Sequence, residues 1–145
     1  MTADEVAIRE LVGRQVAAME SGDAEALVGL RTADAVGFTL APPLVQPDMK
    51  DVPGTQAWFA TFDGPVYYEV RDLKVTVGGD VAFCHSLNRM SATPAGTPGS
   101  FELWFRATLG LRKVDGEWRI THEHQSTPFY MDGSLRAAVD LRPEA

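Results

Sequence analysis

Cysteine occurs once in the 145 residues, at Cys84, so the chain can form no internal disulfide and no cysteine-based zinc site. With Ala82, Phe83 and Leu87 as neighbours, Cys84 reads as a core filler, since a reactive thiol needs an electropositive, partly exposed setting. Long apolar runs are also missing, and no stretch approaches the roughly 18 residues that span a bilayer. Basic residues are outnumbered, 13 Lys and Arg against 20 Asp and Glu. The resulting net charge of -7 repels phosphate backbones and anionic lipid at long range, which sets nucleic acid and membranes aside as partners. The segment Met1 to Glu5 is acidic where a secretory leader would be basic, and a cytoplasmic protein is expected.

What remains is ordinary globular material, 45% hydrophobic and 23% charged, unlike the apolar-poor chains that stay disordered. No repeat or linker divides it, and its length suits one domain over 1–145.

Thr2 followed by Glu5 predicts a capping box, and Ile8, Leu11, Val12, Val16 and Met19 form one face of a helix running to about Glu20. Ser21 and Gly22 stop it, and Asp23 caps a second helix through Ala26, Leu27 and Leu30. Val36 to Leu40 predicts a short strand, ended by Pro42 and Pro43. The polar segment Gln46 to Gly54 then reads as a loop able to act as a lid. The tight cluster Ala57, Trp58, Phe59 and Phe62 predicts a third helix over Thr55 to Phe62.

Val66 to Val77 and Val81 to Met90 read as strands joined at Gly78 and Gly79, a turn that would set Asp72 opposite His85. Phe101 to Val114 and Glu117 to Thr127 form a second hairpin around Asp115 and Gly116. Helices first and a long antiparallel meander afterwards predict an α+β domain, its sheet curled over helices around a pocket. The tail from Tyr130, with Leu135, Val139 and Leu141, is too apolar for a solvated end; it folds over an edge or reaches a partner subunit.

Trp104, Arg106, Thr108, Arg112, Lys113, Asp115, Gly116 and Trp118, then His122, His124, Ser126, Pro128 and Phe129, resemble the terminal hairpin of bacterial ketosteroid-isomerase homologues. These belong to the nuclear transport factor 2-like superfamily. Asp63-Gly64-Pro65, Asp72-Leu73 and Asp80-Val81-Ala82 resemble earlier segments of the same group. The final hairpin is also similar to the association domain of calcium/calmodulin-dependent protein kinases. The resemblance implies a cone-shaped curved antiparallel sheet packed on three helices of the N-terminal half, and a homodimer. It also implies a small-molecule-binding protein: a cofactor-independent isomerase, cyclase or hydrolase moving protons on an apolar metabolite, or else a non-catalytic oligomerisation or ligand-sensing module. The superfamily spans enzymes and pure binding modules, so the site must decide.

His122, His124 and Ser126 alternate and therefore leave one face of their strand. A two-residue turn at Asp115 and Gly116 would put Ala107 opposite His124 and the histidines on an apolar face. A bulged three-residue loop would put Arg106 opposite His124 and Thr108 opposite His122. The second arrangement lets polar groups satisfy one another and sends Thr121, Glu123, Gln125, Leu109 and Phe105 toward the cone. Arg106, His122 and His124 are the candidate catalytic residues: a histidine shuttles a proton while the guanidinium steadies a developing oxyanion. The same three serve equally as a structural network. Trp58, Tyr67, Trp104, Ser126 and Phe129 are the candidate ligand-binding residues, and since Tyr67 and Tyr68 point to opposite faces only one of them reaches the cavity. A His-x-His pair can hold a transition metal given a third ligand, but no motif spacing supplies one, and neither metal nor cofactor is expected.

Overall fold

The computed structural model describes residues 1–144. Thr2 caps α1 (Ala3–Ser21) by accepting from the Glu5 amide, and Gly22, at φ 66°, turns the chain out of the helix with its N–H on the last carbonyls. Asp23 caps α2 (Ala24–Gly29) in the same way. The strand β1 (Arg31–Phe38) begins five residues earlier than Val36, because Arg31 pairs with Ile120 in the distant C-terminal hairpin before an irregularity and the pairing resumes at Val36. The helix α3 spans Val52–Phe59, not Thr55 to Phe62; Asp51 accepts from the Gly54 amide and Pro53 sits in the first turn, where its missing N–H costs nothing.

Four long strands follow, β2 (Tyr67–Gly78), β3 (Val81–Ala92), β4 (Phe101–Val114) and β5 (Glu117–Ser126), in the sheet order β1-β5-β4-β3-β2. The architecture is the expected α+β curved sheet on helices, with one correction. The sheet is mixed, since β1 lies parallel to β5, with Val36 beside His122 and Phe38 beside His124. No hairpin links these two strands, so nothing local dictates an antiparallel direction.

Two irregularities shape the antiparallel part of the sheet. At the first hairpin the turn residues are Gly79 and Asp80, and Asp72 (φ 57°) sits in a bulge, so His85 pairs with Lys74 and not with Asp72. The second hairpin turns on Asp115 and Gly116, both at positive φ, with Val114 opposite Glu117. Leu111 pairs with Ile120 but Gly110 pairs with His122, which leaves Thr121 as an extra residue in β5. Neither anticipated register is therefore correct: Thr108 lies opposite His124 and Arg106 opposite Ser126. The bulge lies in mid-strand, beyond the reach of any turn rule.

The concave face packs on α1 through Ile8, Leu11 and Val12 against Leu109, Leu111, Trp118 and Ile120 at the narrow end, and through Ala18 and Met19 against Tyr68, Phe105 and Ala107 at the wide end. Cys84 is part of the first cluster, and burial pushes its thiol pKa up to about 11, as a core filler requires. The C-terminal segment folds back, with Ala138 buried and its amide bonded to the Pro128 carbonyl, and Arg142 pairs with Glu102 on β4. Among the described residues no helix is long and apolar enough to cross a membrane.

Candidate functional site

Alternation along β5 is reset by the extra residue at Thr121. Before it Trp118 and Ile120 face the helices, and after it Glu123 and Gln125 do. His122, His124 and Ser126 consequently stand on the outer face of the sheet with Arg106 and Thr108. There His122 donates through Nδ1 to the Val36 carbonyl at 2.7 Å, Phe38 packs edge-on against both imidazoles, and Arg106 donates to Ser126 Oγ at 3.1 Å. The candidate catalytic residues are thus together on one face, as expected, but that face is turned away from the cone. The two imidazoles share Phe38 while Arg106 bonds to Ser126, and none of the three lines the cavity at the wide end or the groove beside Arg112 and Arg119.

The wide end of the cone encloses a cavity of about 430 Å³, between the concave sheet face, α1, α3 and the loop of residues 39–51. Its deep end is polar. Glu123, 3% exposed, accepts from Gln15 Nε2 at 3.0 Å through one oxygen and from Arg31 Nη2 at 3.1 Å through the other. Arg31 also donates to the Met49 carbonyl. A charge pair this deep persists because each carboxylate oxygen has its own donor.

Beside it lies Tyr68. Ser86 donates to Asn88 Oδ1 at 2.6 Å, which fixes the amide so that Asn88 Nδ2 donates to the Tyr68 hydroxyl at 2.8 Å. The phenol oxygen is then an acceptor from Asn88, and its own proton is left to donate elsewhere. Burial, reinforced by the nearby Glu123 carboxylate, holds the Tyr68 pKa well above the ordinary phenol range, so the hydroxyl remains a neutral donor. Met19, Leu27, Met90 and Phe105 make the apolar walls, Trp58 stands near the opening, and Asp48 and Asp51 belong to the exposed rim. Gly37 lets the loop come down onto β1, since a Cβ there would collide with the Met49 side chain.

Of the candidate ligand-binding residues, Trp58 lines the cavity. Tyr67 is on the outer face, with Tyr68 taking the inward position. Trp104 donates to Glu102 on the outer face, Ser126 is bonded to Arg106, and Phe129 is exposed in the C-terminal segment. Gln15 carried a usable signal, as the one polar residue in register with Leu11 and Met19 on the apolar face of α1. Arg31 and Asn88 carried none. Among the described residues no group of three or more His, Cys, Asp or Glu converges as a metal site would require.

A family model for the SnoaL-like domain matches residues 8–130. The chain belongs to the SnoaL-like domain family. Among solved structures, this SnoaL-like chain is similar to a nuclear transport factor 2-like protein of unknown function from Pseudomonas putida KT2440, with 30% identity over 99% of each chain and a TM-score of 0.84. A candidate scytalone dehydratase from Novosphingobium aromaticivorans shares its fold at 19% identity, covering 97% of this chain and 95% of that one with a TM-score of 0.77. A ketosteroid isomerase-like protein from Erwinia carotovora atroseptica does so at 20% identity, 87% and 97% coverage and a TM-score of 0.72. No curated protein matches the sequence.

Removing one member of the buried pair strands the other's charge. Glu123→Gln is expected to destabilise the SnoaL-like domain by about 3–5 kcal/mol in urea unfolding, while the double change Arg31→Met with Glu123→Leu costs far less than the sum of the single changes. Additive losses would mean the two charges do not depend on each other.

Proposed function

We propose that this protein binds a small, mainly apolar, ring-shaped molecule carrying a hydrogen-bond acceptor, with its ring among Met19, Leu27, Met90 and Phe105 and the acceptor at the Tyr68 hydroxyl. The observation that carries this reading is the Ser86–Asn88–Tyr68 chain, which leaves a buried phenol with a proton to give and an apolar cavity in front of it. A cavity of about 430 Å³ falls within the size range of small-molecule sites, and a few convergent polar groups in an apolar lining are their usual composition. In an isomerase-type reaction Tyr68 would steady the developing oxyanion and Glu123 would exchange the proton, roles that fall to the cavity residues and not to His122 or His124.

A neutral hydrogen bond contributes about 0.5–1.5 kcal/mol net, a factor of roughly 2 to 13 in affinity. In calorimetric titration 1-tetralone should therefore bind more tightly than tetralin, which lacks the carbonyl, by about that factor, and Tyr68→Phe should abolish the difference. Equal affinities for the wild-type protein would remove Tyr68 as the anchor.

A second reading concerns the outer sheet face, where Val36, next to His122 on the edge strand β1, and Phe83, on β3 across Gly110 from His122, are 42% and 50% exposed. Exposed apolar side chains on a sheet face favour coverage by another copy, giving a homodimer whose two cavities open away from the contact. Phe83→Glu is expected to convert the dimer to monomer in sedimentation velocity without loss of helical signal. A wild-type monomer at 100 μM, on the order of ordinary assay concentrations, would refute the dimer.

A further inference from the structure

The charged groups around the cavity carry an inference about its ligand that rests on the small-molecule reading above. Four ionised side chains line it: Arg31, Glu123, Asp48 and Asp51. Arg31 has its charge matched by Glu123 at the deep end, with one Nη on the Met49 carbonyl and Nε without a hydrogen-bond partner, while Gln15 donates to the other Glu123 oxygen. What is left is two carboxylates, both on the rim. Asp48 accepts from the Lys50 amide and Asp51 from the Gly54 amide, each through Oδ1. Lys50, the nearest free cation in sequence, is turned the other way, with its ammonium on the Val28 and Arg31 carbonyls at 3.1 Å and its side chain lining the separate groove beside Arg112 and Arg119. Among the described residues two features offset the rim carboxylates: the N-terminus of α3, whose Gly54 amide is already taken by Asp51, and the Arg31 Nε–H, which has no hydrogen-bond partner but belongs to a guanidinium already paired with Glu123.

We infer that the cavity selects by charge, admitting neutral and cationic ring compounds and excluding carboxylate- or phosphate-bearing ones. An entering anion must pass Asp48 and Asp51 and then approach Glu123, which already matches the charge of Arg31. Clefts with low-dielectric walls concentrate the field of their charges, so two rim carboxylates act more strongly here than on open surface. The buried Tyr68 hydroxyl, 6% exposed and with its proton on no protein acceptor among the described residues, supplies a neutral donor at the point where an anion-binding site would carry a free cation.

The test uses three probes of one ring system at pH 7 and low salt: 2-naphthol, 2-naphthoate and 2-naphthylmethylammonium, titrated calorimetrically into the full chain. Naphthol and the ammonium are expected to bind, and naphthoate about tenfold more weakly than naphthol, with the gap narrowing at 0.5 M salt. The double variant Asp48→Asn with Asp51→Asn keeps both backbone hydrogen bonds, since asparagine caps as aspartate does, and should bring naphthoate to within about twofold of naphthol. Naphthoate binding the wild-type protein as well as naphthol does would overturn the charge selection and leave the binding reading standing, as would an unchanged gap in the double variant. Failure of all three probes at millimolar concentration would overturn the binding reading itself, and the selectivity with it.

Discussion

Everything that gives this domain an interior with chemistry in it depends on one extra residue in β5. Between Ile120 and His122 the strand carries Thr121 without a partner on β4, and a strand's side chains alternate with a period of two. Without the bulge, the tight turn at Asp115 and Gly116 would carry its register unbroken to the end of β5. His122 and His124 would then point at the helices and Glu123 at solvent. With it, the same sequence buries Trp118 and Ile120 at the narrow end and Glu123 at the wide end. Gly110, across the strand pair, accommodates the shift, since a Cβ there would press on the Cβ of His122.

The inward turn of Glu123 determines what must surround it. A lone carboxylate at that depth would be strongly destabilising, and Arg31 and Gln15 reach it from β1 and α1, both far from β5 in sequence. The ion pair therefore ties the parallel edge strand, the first helix and the final strand together at the floor of the cavity. Asn88, oriented by Ser86 on the same strand β3, orders Tyr68 on the neighbouring β2 and leaves the phenol proton as a free donor beside walls of methionine, leucine and phenylalanine. The lining combines soft, adaptable side chains with a fixed polar floor.

Much of the fold was legible because its signals are local: the caps at Thr2 and Asp23, the apolar stripe of α1, and the glycine-containing turns between the four long strands. The parallel pairing of β1 was not, since direction there is set by packing across the whole chain. The site was half legible. The grouping of His122, His124, Ser126 and Arg106 on one face, with Glu123, Gln125 and Phe105 opposite, follows from alternation, and the structure keeps that division. Which group faced the cavity did not follow from residue type, because histidine and arginine look catalytic wherever they stand. Tyr67 and Tyr68 differ by a single position of parity. Arg31 and Asn88 become recognisable only once their partners are in place.

The central claim is that the cone interior, and not the histidine face, receives the ligand. The most direct measurement is a nuclear Overhauser experiment on protein with labelled methionine methyl groups in the presence of 2-naphthol. Contacts are expected from the naphthol ring to the methyls of Met19 and Met90, which line the cavity. Contacts to the imidazole protons of His122 or His124, with none to Met19 and Met90, would place binding on the outer face and contradict the account.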